Sequence, residues 1–153
     1  MIIRVFLFLA LSFSYFVSAE QISIMSYNLN NLFDAQDDVG KDDKAYLPIE
    51  FKNNDDHIMG CLQVNNSKWR NECLFLDWSE EVVQKKISNI SDLLISMGES
   101  QPDIIAIQEI ENLNVLRMLF SKIEALGYTD FALIEGEDYR GIDNACLLYT
   151  SPS

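Results

Sequence analysis

The sequence predicts a mixed α/β fold with helices packed on a sheet, and three segments predict it. Two carry apolar residues at helical spacing: Val83, Ile87, Ile90, Leu94 and Met97 in one, Leu116, Leu119, Phe120, Ile123 and Leu126 in the other. Between them runs Ile104-Ile105-Ala106-Ile107, a short unbroken apolar stretch of the kind found in a buried central strand. Strand-like stretches flank this unit on both sides. The order is therefore strand, long loop, helix, strand, helix, strand, strand, which implies a layered α/β (α+β) structure. At 153 residues and 48% hydrophobic, the chain has the size of one domain with its own core.

Met1 to Ala19 is expected to be a secretory signal. Arg4 supplies the positive n-region, Val5 to Val17 the apolar stretch, and Val17-Ser18-Ala19 a small-residue cleavage site. A membrane anchor, the alternative, needs about 20 apolar residues. This run is shorter and contains Ser12 and Ser14. The product is expected to be secreted or periplasmic, with residues 20–145 forming part of a domain.

The first strand follows at Ile22-Ser23-Ile24-Met25-Ser26-Tyr27-Asn28. Ile22 and Ile24 share one face and Met25 and Tyr27 the other, so the strand is expected to be covered on both sides. Asn28, Asn30 and Asn31 end it, and Leu32-Phe33 form a hydrophobic plug. Asp34 to Asp43 is rich in acids with a single Gly40. Its spacing fails the EF-hand pattern of alternating acids, glycine and a final glutamate, so it reads as a solvated loop.

From there to Cys73 the pattern is irregular, with Pro48, Gly60 and an Asn-rich stretch, and a long stapled excursion is expected. Export favours disulfides, so Cys61 and Cys73 are expected to bridge. The closed loop would contribute roughly 3 kcal/mol in the chain-entropy model. Zinc is the alternative, but there is no Cys-x-x-Cys and His57 is the single histidine. Cys146 is left over.

Ser79 reads as an N-cap, with Glu80 and Glu81 suited to the first turn, and Gly98 ends that helix. Gln101-Pro102 breaks the chain before the central strand. Gly127 terminates the second helix. Phe131 to Ile134 is a strand, Glu135 to Asp138 a loop, and a last strand resumes near Ile142.

The net charge of −13 disfavours polyanion binding through a basic patch. It leaves open an enzyme that engages one phosphate through a bound cation, which inverts the local field. It equally suits a protein whose charge serves only solubility.

Glu109 emerges after the apolar run, at the strand end where α/β sheets place ligands. Hard divalent cations take oxygen ligands, few of them from protein. A glutamate on one strand and an asparagine, Asn28, on another meet that need. Taken singly, each also reads as an ordinary exposed strand-end or turn residue.

Together, "MSYNLNNLFD", "DIIAIQEIEN" and "DYRGID" resemble, in order, motifs of the endonuclease/exonuclease/phosphatase family, the deoxyribonuclease I-like superfamily. The likeness is strongest to an exported bacterial branch with a cysteine pair and an "LDWSEE"-type helix start. It implies the N-terminal portion of a four-layer αββα sandwich. It also implies that Glu109 holds the metal, Mg²⁺ or else Mn²⁺ or Ca²⁺, with Asn28 holding metal or phosphate. Asn30 stands where some members carry a second acid. Arg140 matches a basic residue near the substrate phosphate, with Tyr139 beside it. Arg140 could equally pair with Asp138 or Asp143, and Asp143 could orient it. Gly141 would serve backbone geometry.

The implied activity is phosphoester hydrolysis, with nucleic acid as the substrate, no stable protein partner and a monomeric state. The alternatives are a phosphatase or a lipid or small-molecule phosphodiesterase of the same fold, or a non-catalytic secreted module. The family's base is a His/Asp pair late in the chain. His57 lies in the early loop and reads as structural or exposed, so the sequence is expected to stop partway through the domain and to be inactive alone. The ending "CLLYTSPS", residues 146–153, reads as adaptor-derived, although Leu147 to Tyr149 also match an "ALLY" strand of the family.

Overall fold

A computed structural model describes residues 21–149; the expected signal and residues 150–153 lie outside them. Four strands, β1 (Ile24–Leu32), β2 (Ile104–Ile110), β3 (Tyr128–Ile134) and β4 (Asp143–Tyr149), pair in the order β1-β2-β4-β3. β1 and β2 run parallel, and β4 is antiparallel to both its neighbours. A parallel neighbour requires a long crossover. Here it contains the helices α1 (Asp55–Leu62), α2 (Ser67–Phe75) and α3 (Glu80–Ser96), while α4 (Leu113–Ile123) joins β2 to β3. The fold is mixed α/β, as the periodicity predicts.

The pairing register sorts the side chains into two faces. On one, Met25, Ile105, Leu147 and Phe131 form a row across the four strands, and Tyr27, Ile107, Ala145 and Leu133 form the next. The apolar stripes of α3 and α4 cover these rows. Val83, Ile87, Ile90 and Leu94 come from α3, and Val115, Leu116, Leu119 and Ile123 from α4. Ser79 stands at the N-cap of α3 in extended backbone. Asn112 caps α4 by accepting from the Val115 N–H at 3.0 Å. Gly127, at φ 97°, turns the chain into β3, where a Cβ would lie 2.5 Å from the Tyr149 ring.

β1 is not covered on both sides. Ile22 and Ile24 are 64% and 68% exposed, because α3 and α4 lie on the Met25 and Tyr27 side. The opposite face is open. Its central row is small, Ser26, Ala106, Cys146 and Ala132 in register. Of residues 146–153, Cys146 to Tyr149 belong to β4, with Leu147 fully buried.

The excursion is helical rather than irregular. Asn54 and Asn66 cap α1 and α2 with their side-chain oxygens. The helices leave Met59, Leu62, Trp69 and Phe75 in solvent, so no apolar stripe betrays them in the sequence. The Cys61–Cys73 disulfide joins them, with Cα atoms 5.6 Å apart. His57 is half-buried there, its Nε2 2.9 Å from the Cys73 carbonyl oxygen, a structural position. Among the described residues no helix is long and apolar enough to cross a membrane.

Lys52 is buried within the excursion and donates to the carbonyls of Ala45 and Leu76, each at 2.7 Å. Burial lowers its pKa to about 8, against an attractive effect of Asp77. Below that pH the folded chain bears the full cost of the buried charge. Between there and the ordinary lysine value the unfolded chain binds the extra proton, so stability rises with pH. The slope is at most about 1.4 kcal/mol per pH unit, for one proton. Urea unfolding at pH 7.5 and 9.5 should show this gain in the wild type and lose it in Lys52→Met.

Candidate metal and phosphate site

β1 and β2 both lose register near their C-terminal ends. Asn28 pairs with Gln108, and pairing resumes only at Leu32 and Ile110. β2 slips at the same place against β4. In unbroken alternation Glu109 would follow Ile105 and Ile107 into the core. The bulge gives that place to Ile110, fully buried, and turns Glu109 away. Glu109 therefore sits inside β2 rather than beyond its end.

The backbone records the cost. Glu109, Asn30 and Asn31 have φ of 60°, 53° and 62°, and among the described residues they alone combine positive φ with a side chain. Asparagine tolerates this region, whereas glutamate rarely adopts it, and such residues carry on the order of 1–3 kcal/mol of strain each.

The bulges bring Asn28 and Glu109 together. Asn28 Nδ2 donates to Glu109 Oε1 at 2.9 Å, and the Asn31 N–H donates to Oε2 at 3.0 Å. Asn28 Oδ1 accepts from the Asn30 N–H at 2.7 Å. Asn31 Oδ1 is buried with no hydrogen-bond partner. Lys86, on α3, donates to the carbonyls of Asn30 and Asn31 at 2.5 and 3.0 Å and lies 5.2 Å from the Trp78 ring centroid. Burial lowers its pKa below the lysine norm, and Glu109 opposes that shift.

Beside this knot opens a cleft of about 750 Å³. Asn31 and Lys86 lie at its edge, and Lys44, Lys68 and Arg140 also line it. Lys44 pairs with Asp42 at 2.5 Å and Lys68 more loosely with Glu72 at 3.7 Å. Trp69 and Tyr139, 61% and 68% exposed, line it as well. The cleft thus gathers four of the cations of a strongly acidic chain.

Arg140 is held by Asp138, which accepts from Nε at 3.1 Å and Nη2 at 2.9 Å. That bonding raises the Arg140 pKa and lowers that of Asp138. Asp143 does not orient Arg140. Its Oδ1 accepts from the Gly136 N–H at 2.7 Å, closing the loop instead. Gly141, at φ 84°, completes the turn by donating its N–H to the Asp138 carbonyl at 3.0 Å.

A hard divalent cation suits the Glu109 carboxylate, although Asn28 faces it through Nδ2 and commits its oxygen to the Asn30 N–H. Magnesium in particular keeps most of its water and needs few protein ligands. Among the described residues, three histidine, cysteine or acidic ligand atoms come within 4.8 Å of one another only at His57, Cys61 and Cys73. The disulfide removes both thiolates there. Lys86, Asn31 and Trp69 were not legible as site residues. Lys86 stands at the border of an apolar helix stripe, where a lysine ordinarily covers hydrophobic surface with its stem.

Asn31→Ala should lose about 1–2 kcal/mol relative to Asn31→Gly in urea unfolding, since only the latter accepts the left-handed backbone freely. Equal stabilities would show that the strain at this position is not real.

No family model matches the chain, and comparison with curated proteins and with solved structures yields no match either.

Proposed function

We propose that the chain is the N-terminal part of an exported, divalent-metal-dependent phosphoesterase with the deoxyribonuclease I-like αββα sandwich, and that its substrate is nucleic acid. One observation carries this reading: Glu109, strained into a bulge and gripped by Asn28 and the Asn31 N–H, beside a cleft holding cations and exposed aromatic rings. Backbone strain kept at one spot is a mark of function. In this reading the open sheet face is where the second sheet of the sandwich packs.

Glu109 would hold Mg²⁺ (Mn²⁺ or Ca²⁺ being the alternatives), with Asn28 joining it only if its amide turned its oxygen away from the Asn30 N–H, and the ion would stabilise charge on a phosphoryl oxygen. Asn28 positions the carboxylate. Arg140, pre-aligned by Asp138 through Nε and Nη2, has Nη1 outside that pairing and suited to a phosphate oxygen. Trp69 and Tyr139 offer faces on which bases stack. Rings on the cleft favour nucleic acid over a small phosphomonoester, which makes no use of them. His57 is committed to the disulfide helices, so this chain should bind without rapid turnover.

The test is tryptophan fluorescence of the 153-residue chain titrated with a single-stranded oligonucleotide, in Mg²⁺ and in chelator. Quenching should require Mg²⁺ and weaken at least about tenfold, or 1.4 kcal/mol, in Glu109→Gln. Trp69→Ala should cost about 1–3 kcal/mol of binding. Binding indifferent to chelator and to Glu109 would overturn the metal site. Preference for sphingolipid vesicles or a phosphomonoester would reassign the substrate.

A further inference from the structure

The acidic loop after β1 is solvated along its middle, where Gln36, Asp37 and Val39 to Asp42 are exposed, but not at its two ends. Asp34 and Asp43 are 3% and 1% exposed, and they enclose Glu111, 2% exposed, from the end of β2. Asp38 is half-buried beside them. Four carboxylates thus lie close together, and none takes part in an ion pair with a lysine, arginine or histidine among the described residues.

Neutral donors serve them instead. Glu111 Oε2 accepts from the Asp34 N–H at 2.7 Å, and Asp43 Oδ2 from the Asp38 N–H at 2.8 Å. Asp34 Oδ1 accepts from the Gln36 N–H at 2.9 Å, and its Oδ2 from Asn114 Nδ2 at 2.9 Å. The Asn112 amide nitrogen is shared among Asp34, Asp38 and Glu111 at 3.1, 3.4 and 3.2 Å, three acceptors for two hydrogens. Asn112 cannot turn to help, because its oxygen caps α4. Two oxygens remain with nothing, Asp43 Oδ1 and Glu111 Oε1, each buried and without a hydrogen-bond partner.

Burying these carboxylates together without a counter-charge is costly, and two of their oxygens are left with no partner at all. We propose that the Asp34–Asp43 loop and Glu111 form a structural calcium site, with Asp43 Oδ1 and Glu111 Oε1 as its direct carboxylate ligands. No three of these carboxylates bring oxygens within 4.8 Å of one another. The remaining ligands are therefore water and backbone carbonyls, with Asp34 and Asp38 adding charge. Calcium accepts six to eight oxygens in such mixed, irregular sets, whereas magnesium demands a near-octahedral one. The ion would tie the loop to the strand two residues beyond Glu109, and so brace the bulge.

The proposal stands apart from any catalytic reading, and its test needs no substrate. Chelator-stripped full-length chain is titrated with CaCl₂ by calorimetry and melted with and without it. Calcium should bind with a component that Glu109→Gln leaves in place, raise Tm, and outcompete an equal concentration of Mg²⁺. Affinity should fall at least tenfold in Asp43→Asn and Glu111→Gln and stay unchanged in Glu109→Gln. Asp38→Asn, at a half-exposed position, should weaken binding less and guards against misfolding of the buried variants. A wild-type chain whose Tm ignores calcium overturns the site. So does calcium binding that survives Asp43→Asn but disappears in Glu109→Gln. Folding that improves on acidification and ignores calcium would mean a shared proton in its place.

Discussion

The carboxylate of Glu109 is the pivot of this structure. It lies across the seam between two parallel strands, with one oxygen on the Asn28 amide and the other on the Asn31 N–H. Two bulges are needed to bring it there, and three residues adopt left-handed backbone to make them. Strain of this kind persists only where surroundings over-determine it. Here the surroundings are Lys86 on the Asn30 and Asn31 carbonyls, Ile110 and Leu32 buried on the core side, and the acidic loop that starts directly after the plug at Phe33.

That arrangement sits beside an uneven distribution of charge in an acidic chain. Charge is partitioned by depth and by neighbourhood rather than averaged over the surface. Lys44, Lys68, Lys86 and Arg140 line one cleft, with Lys44 and Arg140 each held by an acid and Lys68 only loosely paired. A second concentration, of acids, lies within the Asp34–Asp43 loop and at Glu111, where burial and the neighbouring aspartates push the Glu111 carboxyl up to about 9. The two environments are separated by little more than the turn from Glu109 to Glu111.

Much of this was legible in the sequence, and the reasons differ by element. α3 and α4 announce themselves because their apolar stripes face a single core, and Gly98 and Gly127 stop them by taking positive φ. β2 reads as central because Ile105 and Ile107 are buried between two neighbouring strands. Asn28 and Glu109 stand out through their motif context, and the structure brings them within hydrogen-bond distance. α1 and α2 were hidden because small helices held by caps and a disulfide need no apolar face. The middle of the acidic loop is solvated as its composition predicts, but spacing in sequence does not reveal that Glu111, more than 70 residues later, meets its buried ends at Asp34 and Asp43. The open face of β1 was misread because alternation shows two apolar faces without saying which one finds a cover.

The pairing of Ile24 with Ile104 has a consequence in time. β2, α4, β3 and β4 are contiguous and can meet through short closures, whereas β1 must return across the whole excursion to reach its partner. Loop closure across such a span costs entropy before any contact repays it, and long-range parallel pairing is slow for that reason. The knot between Asn28 and Glu109 therefore ties last. On this order α4 and the antiparallel strands would pack first, while Asn28 and Glu109 still stood apart.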